Sequence, residues 1–117
     1  MALHRGKTLD TVLFVIFDGG LRGADMHRIA GEIALMSPEP DAKKAETYFE
    51  SALAIAREQQ AKSWELRAAM SMARLWRDQG KRQQAHNLLA PVYGWFTEGF
   101  DTRDLKEAKV LLDELES

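Results

Sequence analysis

His4, His27 and His86 are the imidazoles available for metal or acid–base chemistry. A metal motif needs a second histidine or paired carboxylates at a ligating spacing. The three are scattered, so a site would form only if the fold joined distant residues. Gly19, Gly20 and Gly23 lack the GK[ST] continuation of a phosphate loop and the full spacing of a dinucleotide fingerprint, and they read as turn residues. Ser37, Ser51, Ser63 and Ser71 have no nucleophile-elbow context, and Ser63 suits a helix start. Asp101 and Asp104 around Thr102 could act as paired carboxylates, but both sit at an expected helix start, where negative charge favours the dipole. Trp64, Trp76 and Trp95 are expected in helical core stripes rather than in a binding surface. No catalytic constellation, cofactor or metal is expected.

The elements that carry these residues must form a single domain, since 117 residues bury about two thirds of their unfolded surface. The 16 Lys and Arg nearly balance 18 Asp and Glu, so bulk charge draws the chain neither to nucleic acid nor to an anionic membrane. Without cysteine there are no disulfides, thiol nucleophiles or cysteine zinc sites, which fits a reducing compartment; a cytoplasmic location is expected.

Residues 1–23 hold a basic start and an apolar run, Val12 to Phe17, that is far shorter than the roughly 20 residues of a membrane span. This run is expected as a helix. Asp25 can cap a helix from Met26 to about Ser37, with Ile29, Ala30, Ile33 and Ala34 at the helical period. Ser37 to Asp41 form a turn, and a second helix follows to about Glu58 with Ala45, Tyr48, Phe49, Ala52, Leu53 and Ala56 inward. A third, Lys62 to Gln79, carries Leu66, Ala69, Met70, Ala73 and Trp76 and stops at Gly80. The fourth begins near Lys81, has its stripe at Ala85, Leu88, Leu89, Val92 and Phe96, and is expected to kink near Asn87 to Pro91. Asp101 or Thr102 opens the last, with Leu105, Ala108, Leu111, Leu112 and Leu115 inward. The fold class is all-α: residues 24–99 form two helical hairpins and residues 100–117 a C-terminal capping helix.

Ala69, Met72, Ala73 and Trp76 fall at the spacing of the tetratricopeptide pattern W-x2-L-G-x2-Y, with Gly80 at the turn, Ala85 opening the next packing face and Leu89 at the aromatic position. His27, Ala30, Gly31 and Ala34 match the first-helix positions, and Ala45, Phe49 and Ala52 match A-x3-F-x2-A. Gly31 lies 42 residues from Ala73 and Ala45 lies 40 from Ala85, against about 34 in the standard repeat, so longer helices are expected. On these residues the chain resembles the tetratricopeptide family. From Asp25 to Leu115, most distinctively in SWELRAAMSMARLWRDQGK and VYGWFTEGFDTRDLKEAK, it is similar to the C-terminal repeat region of large bacterial regulators. Those regulators join an ATPase module to a class III adenylate or guanylate cyclase domain, or to a transcriptional activator domain. The resemblance implies antiparallel helix-turn-helix repeats in an α-α superhelix and a noncatalytic, regulatory protein-interaction role. No ATPase or cyclase motif is present, so no catalytic residue is carried over.

In such arrays the inner helices line a concave groove. The resemblance places Arg67, Met70, Arg74 and Arg77 of the third helix there, with Arg28 of the first extending the stripe. Guanidiniums in a row suit carboxylates or phosphates, so an acidic peptide or protein segment is the expected partner. Two repeats leave an open end, and a homodimer burying apolar residues near the N-terminus is expected. Other readings are a small-molecule-binding sensory domain, with its pocket between repeats, and a remnant of a larger regulator without independent activity.

Overall fold

A computed structural model of the chain describes residues 23–116. Within that range it forms five α-helices: α1 (Ala24–Met36), α2 (Ala42–Glu58), α3 (Lys62–Asp78), α4 (Arg82–Trp95) and α5 (Arg103–Glu116). No described residue lies in a strand. The expected helix over Val12 to Phe17 lies outside the described residues, as do His4, Gly19 and Gly20.

The helix boundaries follow local chemistry. Asp41 caps α2, its Oδ1 accepting from the Lys44 backbone N–H at 2.9 Å. Asp25, expected to cap α1, instead lies in its first turn, and Gly23 occupies the cap position without a side-chain bond. The turns after α2 and α3 have the same build. Ala61 N–H returns to the Ala56 carbonyl at 2.8 Å and Lys81 N–H to that of Trp76 at 2.7 Å, each over a residue in the left-handed region, Gln60 at φ 56 and Gly80 at φ 81. This is the Schellman closure, which satisfies carbonyls a helix end leaves free. Gly80 was expected there; Gln60 has a Cβ and takes the same conformation. α4 runs unbroken across Pro91 to Trp95, although the donor that proline lacks would have served the Asn87 carbonyl.

Consecutive helices pack as antiparallel neighbours. In addition α1 packs on α3 and α3 on α5, whereas α2 and α4 do not approach one another. The odd-numbered helices therefore make an inner row and the even-numbered ones an outer row, the arrangement of a helical repeat with α5 at its end. α3 touches all four others and is buried almost all round, including Glu65, Met70 and Ser71 besides its apolar stripe. Phe49, Leu66, Met72 and Leu89 are the largest fully buried side chains, and Ala45, Ala52, Ala69, Ala73 and Ala85 let the helix axes come close between them.

Candidate functional site

Arg67, Arg74 and Arg77 recur on one side of α3, and α5 runs alongside with Asp104, Glu107 and Glu114 facing them. Arg67 Nε donates to Asp104 Oδ2 at 2.9 Å, Arg77 Nη1 to Glu114 Oε1 at 3.0 Å, and Arg74 Nη2 stands 3.5 Å from Glu107 Oε1. Arg77 also pairs with Asp78 at 3.1 Å. The hydrogen bond that Arg67 donates to Asp104 raises the Arg67 pKa, opposed by partial burial and reinforced by the charges of Asp104 and Asp25. The guanidinium therefore stays charged at every working pH.

Between the two helices lies an open cavity of about 260 Å³ lined by Arg74, Arg77, Lys106, Glu107, Val110, Leu111 and Glu114. Its wall carries three cations and two carboxylates. Lys106 makes no salt bridge with a described residue, and Val110 is 61% exposed. The ion pairs across the cavity have half-exposed members and contribute roughly 0–1 kcal/mol each, so their carboxylates exchange readily with others of similar placement.

The other two residues of the expected stripe lie elsewhere. Arg28 Nε pairs with Asp25 at 2.9 Å and its Nη1 approaches Glu32 at 4.0 Å; Glu32 in turn accepts from Ser71 Oγ at 2.7 Å, joining α1 to α3. Met70, expected on the groove face, is buried at 3% exposure within the core. Residue spacing on α3 placed it both in the apolar stripe and on the basic side, and its burial puts it in the core cluster. Lys106 and Val110, which complete the cavity, belong to the helix read from sequence only as a cap. Their exposure beside a basic helix had no signal in the local pattern.

A second cavity, of about 270 Å³, opens among α2, α3 and α4. Glu65 lies at its base, 6% exposed, with Arg57 Nε at 3.2 Å and Lys62 Nζ at 3.3 Å. The Lys62 ammonium also sits over the Trp95 ring, 5.3 Å from its centroid. Trp76 packs on the core, whereas Trp64 and Trp95 remain 41% and 57% exposed, unlike the core placement expected for all three. Among the described residues no group of three or more His, Asp or Glu is placed to hold a metal ion. No described helix is long and apolar enough to cross a membrane. Comparison with family models, curated proteins and solved structures returned no match.

Proposed function

We propose that the chain is a noncatalytic protein-interaction module whose α3–α5 groove takes up an acidic segment of a partner protein. The observation that supports this is the row of α3 guanidiniums already facing carboxylates across an open cavity, with Lys106 as a further cation and Val110 as an apolar foothold. An incoming segment would replace Glu107 and Glu114 as the carboxylate acceptors for Arg74 and Arg77 and cover Val110 with an apolar side chain. Ion pairs of this exposure set specificity and association rate more than affinity, so the apolar contact would supply much of the binding energy. A regulatory setting rests on the resemblance to tetratricopeptide regions alone.

A second reading is favoured by the other cavity: Trp95, Leu88 and Pro91 offer an apolar wall beside the Arg57–Glu65–Lys62 cluster, which suits a small amphipathic ligand. The first reading is tested with a fluorescent Glu-rich peptide bearing one leucine. The wild-type chain should bind it with an affinity that falls with added salt, and should ignore the Lys-rich counterpart. An Arg74→Ala, Arg77→Ala protein with unchanged melting and unchanged peptide affinity would remove the groove from consideration. Loss of amide protection across α5 in that variant would instead show that the arginines serve to seat α5.

A further inference from the structure

The cavity among α2, α3 and α4 joins unbalanced charge to an apolar wall. Its charged lining is Arg57, Lys62 and Glu65, two cations against one carboxylate. Glu65 is buried, and both cations converge on it: Arg57 Nε stands 3.2 Å from one carboxylate oxygen and Lys62 Nζ 3.3 Å from the other. Arg57 hydrogen-bonds Glu65 through Nε. A guanidinium carries further N–H donors on its terminal nitrogens and an ammonium carries more than one, so a single carboxylate does not exhaust the donors of this pair. The apolar wall comes from α4 as Leu88, Pro91 and Trp95. Trp95 is 57% exposed, and its ring is met edge-on by Phe96, itself packed against the core, with centroids 5.2 Å apart and planes at 87°. The Lys62 ammonium stands over the Trp95 ring, which brings the cation pair and the aromatic surface into one site.

Charge and size then select an occupant. A cationic ligand would add to the excess of positive charge and an uncharged one would leave it, whereas a monoanion brings the cluster to neutrality. Both cation heads already lie within 3.3 Å of one carboxylate, so a second carboxylate can bridge them from the open side. The volume of about 270 Å³ falls just under the roughly 300–1,000 Å³ of a drug-sized site, which suits one ring on a short arm. We propose that this cavity binds a small aromatic carboxylate, its anionic group bridging Arg57 and Lys62 and its ring lying against Trp95, Leu88 and Pro91. The inference rests on the small-ligand reading of the cavity and adds the charge and class of the ligand. Glu65 is then a positioning residue: it holds the two cations together and competes with the ligand for them.

The test titrates the full chain with phenylacetate, phenylacetamide and phenethylamine, which share a ring and differ in charge, and follows amide and indole N–H signals by NMR. Phenylacetate should shift the Trp95 indole and the amides of Lys62 and Leu88 with a millimolar dissociation constant, as suits a ligand of about ten heavy atoms. It should bind at least about fivefold more tightly than the other two, the size expected of a partly exposed ion pair. Lys62→Gln should weaken phenylacetate about fivefold and leave phenylacetamide unchanged, whereas Glu65→Gln should tighten phenylacetate by a similar factor. A merely structural role for Glu65 would not tighten anything. If Glu65→Gln lowers the melting temperature, the three-ligand comparison on the wild-type chain and Lys62→Gln decide. Phenylacetamide or phenethylamine binding as tightly as phenylacetate overturns the anion and leaves the small-ligand reading standing. No shift at Trp95 with any of the three overturns both. Phenylacetate shifts confined to α5 around Val110 would put the anion in the α3–α5 groove and overturn the proposal as well.

Discussion

A Cβ built on Gly31 would stand 2.5 Å from Cε1 of Phe49 and 2.8 Å from its Cδ1. α1 and α2 thus meet with a fully buried ring seated directly on a helix backbone. Gly31→Ala normally favours a helix by about 1 kcal/mol. Here the methyl must push into a packed ring, and we expect a loss of about 1–3 kcal/mol in thermal or denaturant unfolding. The loss should shrink in a Phe49→Leu background. A variant at least as stable as the parent would show that the ring can swing aside.

Gln60 presents the opposite case. It holds φ 56 at the turn where the equivalent position after α3 is Gly80. A left-handed residue with a Cβ is disfavoured by about 1–2 kcal/mol, partly offset in a Gly variant by the greater freedom of its unfolded chain. Gln60→Gly should raise stability by up to about 1 kcal/mol. A fall in melting temperature would mean that the Gln60 side chain makes a contact worth more than the strain.

The helices and most of the inward residues of α2, α4 and α5 were legible because each has one apolar face at the helical period. Gly80 marked its turn through its own conformational freedom. Gln60 did not, since the Schellman closure depends on backbone bonds that residue type does not announce. Met70 was read both into the buried stripe and onto the groove face, and Glu65 and Ser71 were passed over, for one reason: α3 is central, and a helix with four neighbours buries polar residues and loses the simple division into two faces. The row Arg67, Arg74 and Arg77 was visible, but its partners Asp104, Glu107 and Glu114 lie more than thirty residues away and face it only because α5 runs alongside α3.

Those distant pairs lead to a comparison between charge and apolar contact. Arg67→Ala should lower stability by at most about 1 kcal/mol, and by less in high salt, because the pair is partly exposed to solvent. Leu111→Ala, at 3% exposure, should lower it by about 2–4 kcal/mol whatever the salt. Because Asp104 raises the Arg67 pKa, the stabilisation on the arginine side is complete below the unfolded-state value and is lost only as pH rises through the still higher folded value. No decline from Arg67 is expected between neutral and mildly alkaline pH. A larger effect of Arg67→Ala than of Leu111→Ala in urea titrations would reverse this ranking.

Trp76 Nε1 is buried with no hydrogen-bond partner among the described residues. An unmet buried donor is unfavourable by about 1–3 kcal/mol, which offsets much of what the larger ring gains by packing. Trp76→Phe should therefore change stability by less than about 1 kcal/mol, while Trp76→Ala, which also empties the space, should lower it by about 2–4 kcal/mol. Equal losses in the two variants would show that the indole N–H is satisfied in solution.

Glu65 is buried beside exposed partners: its carboxylate is almost wholly buried, whereas Arg57 is 54% exposed and Lys62 35% exposed at the side chain. Removing one cation leaves the other within reach, so Arg57→Ala or Lys62→Ala alone should lower stability by about 1 kcal/mol or less. Removing both leaves a buried carboxylate without a counter-ion, and the loss should exceed the sum of the single changes, reaching about 3 kcal/mol or more. Glu65→Ala should be milder than that double variant, because both cations can turn into water. Glu65→Leu in the double variant should recover most of the loss, since an apolar side chain of similar size needs no partner. A double-mutant cycle with additive single effects would show that water, rather than Arg57 and Lys62, solvates the carboxylate.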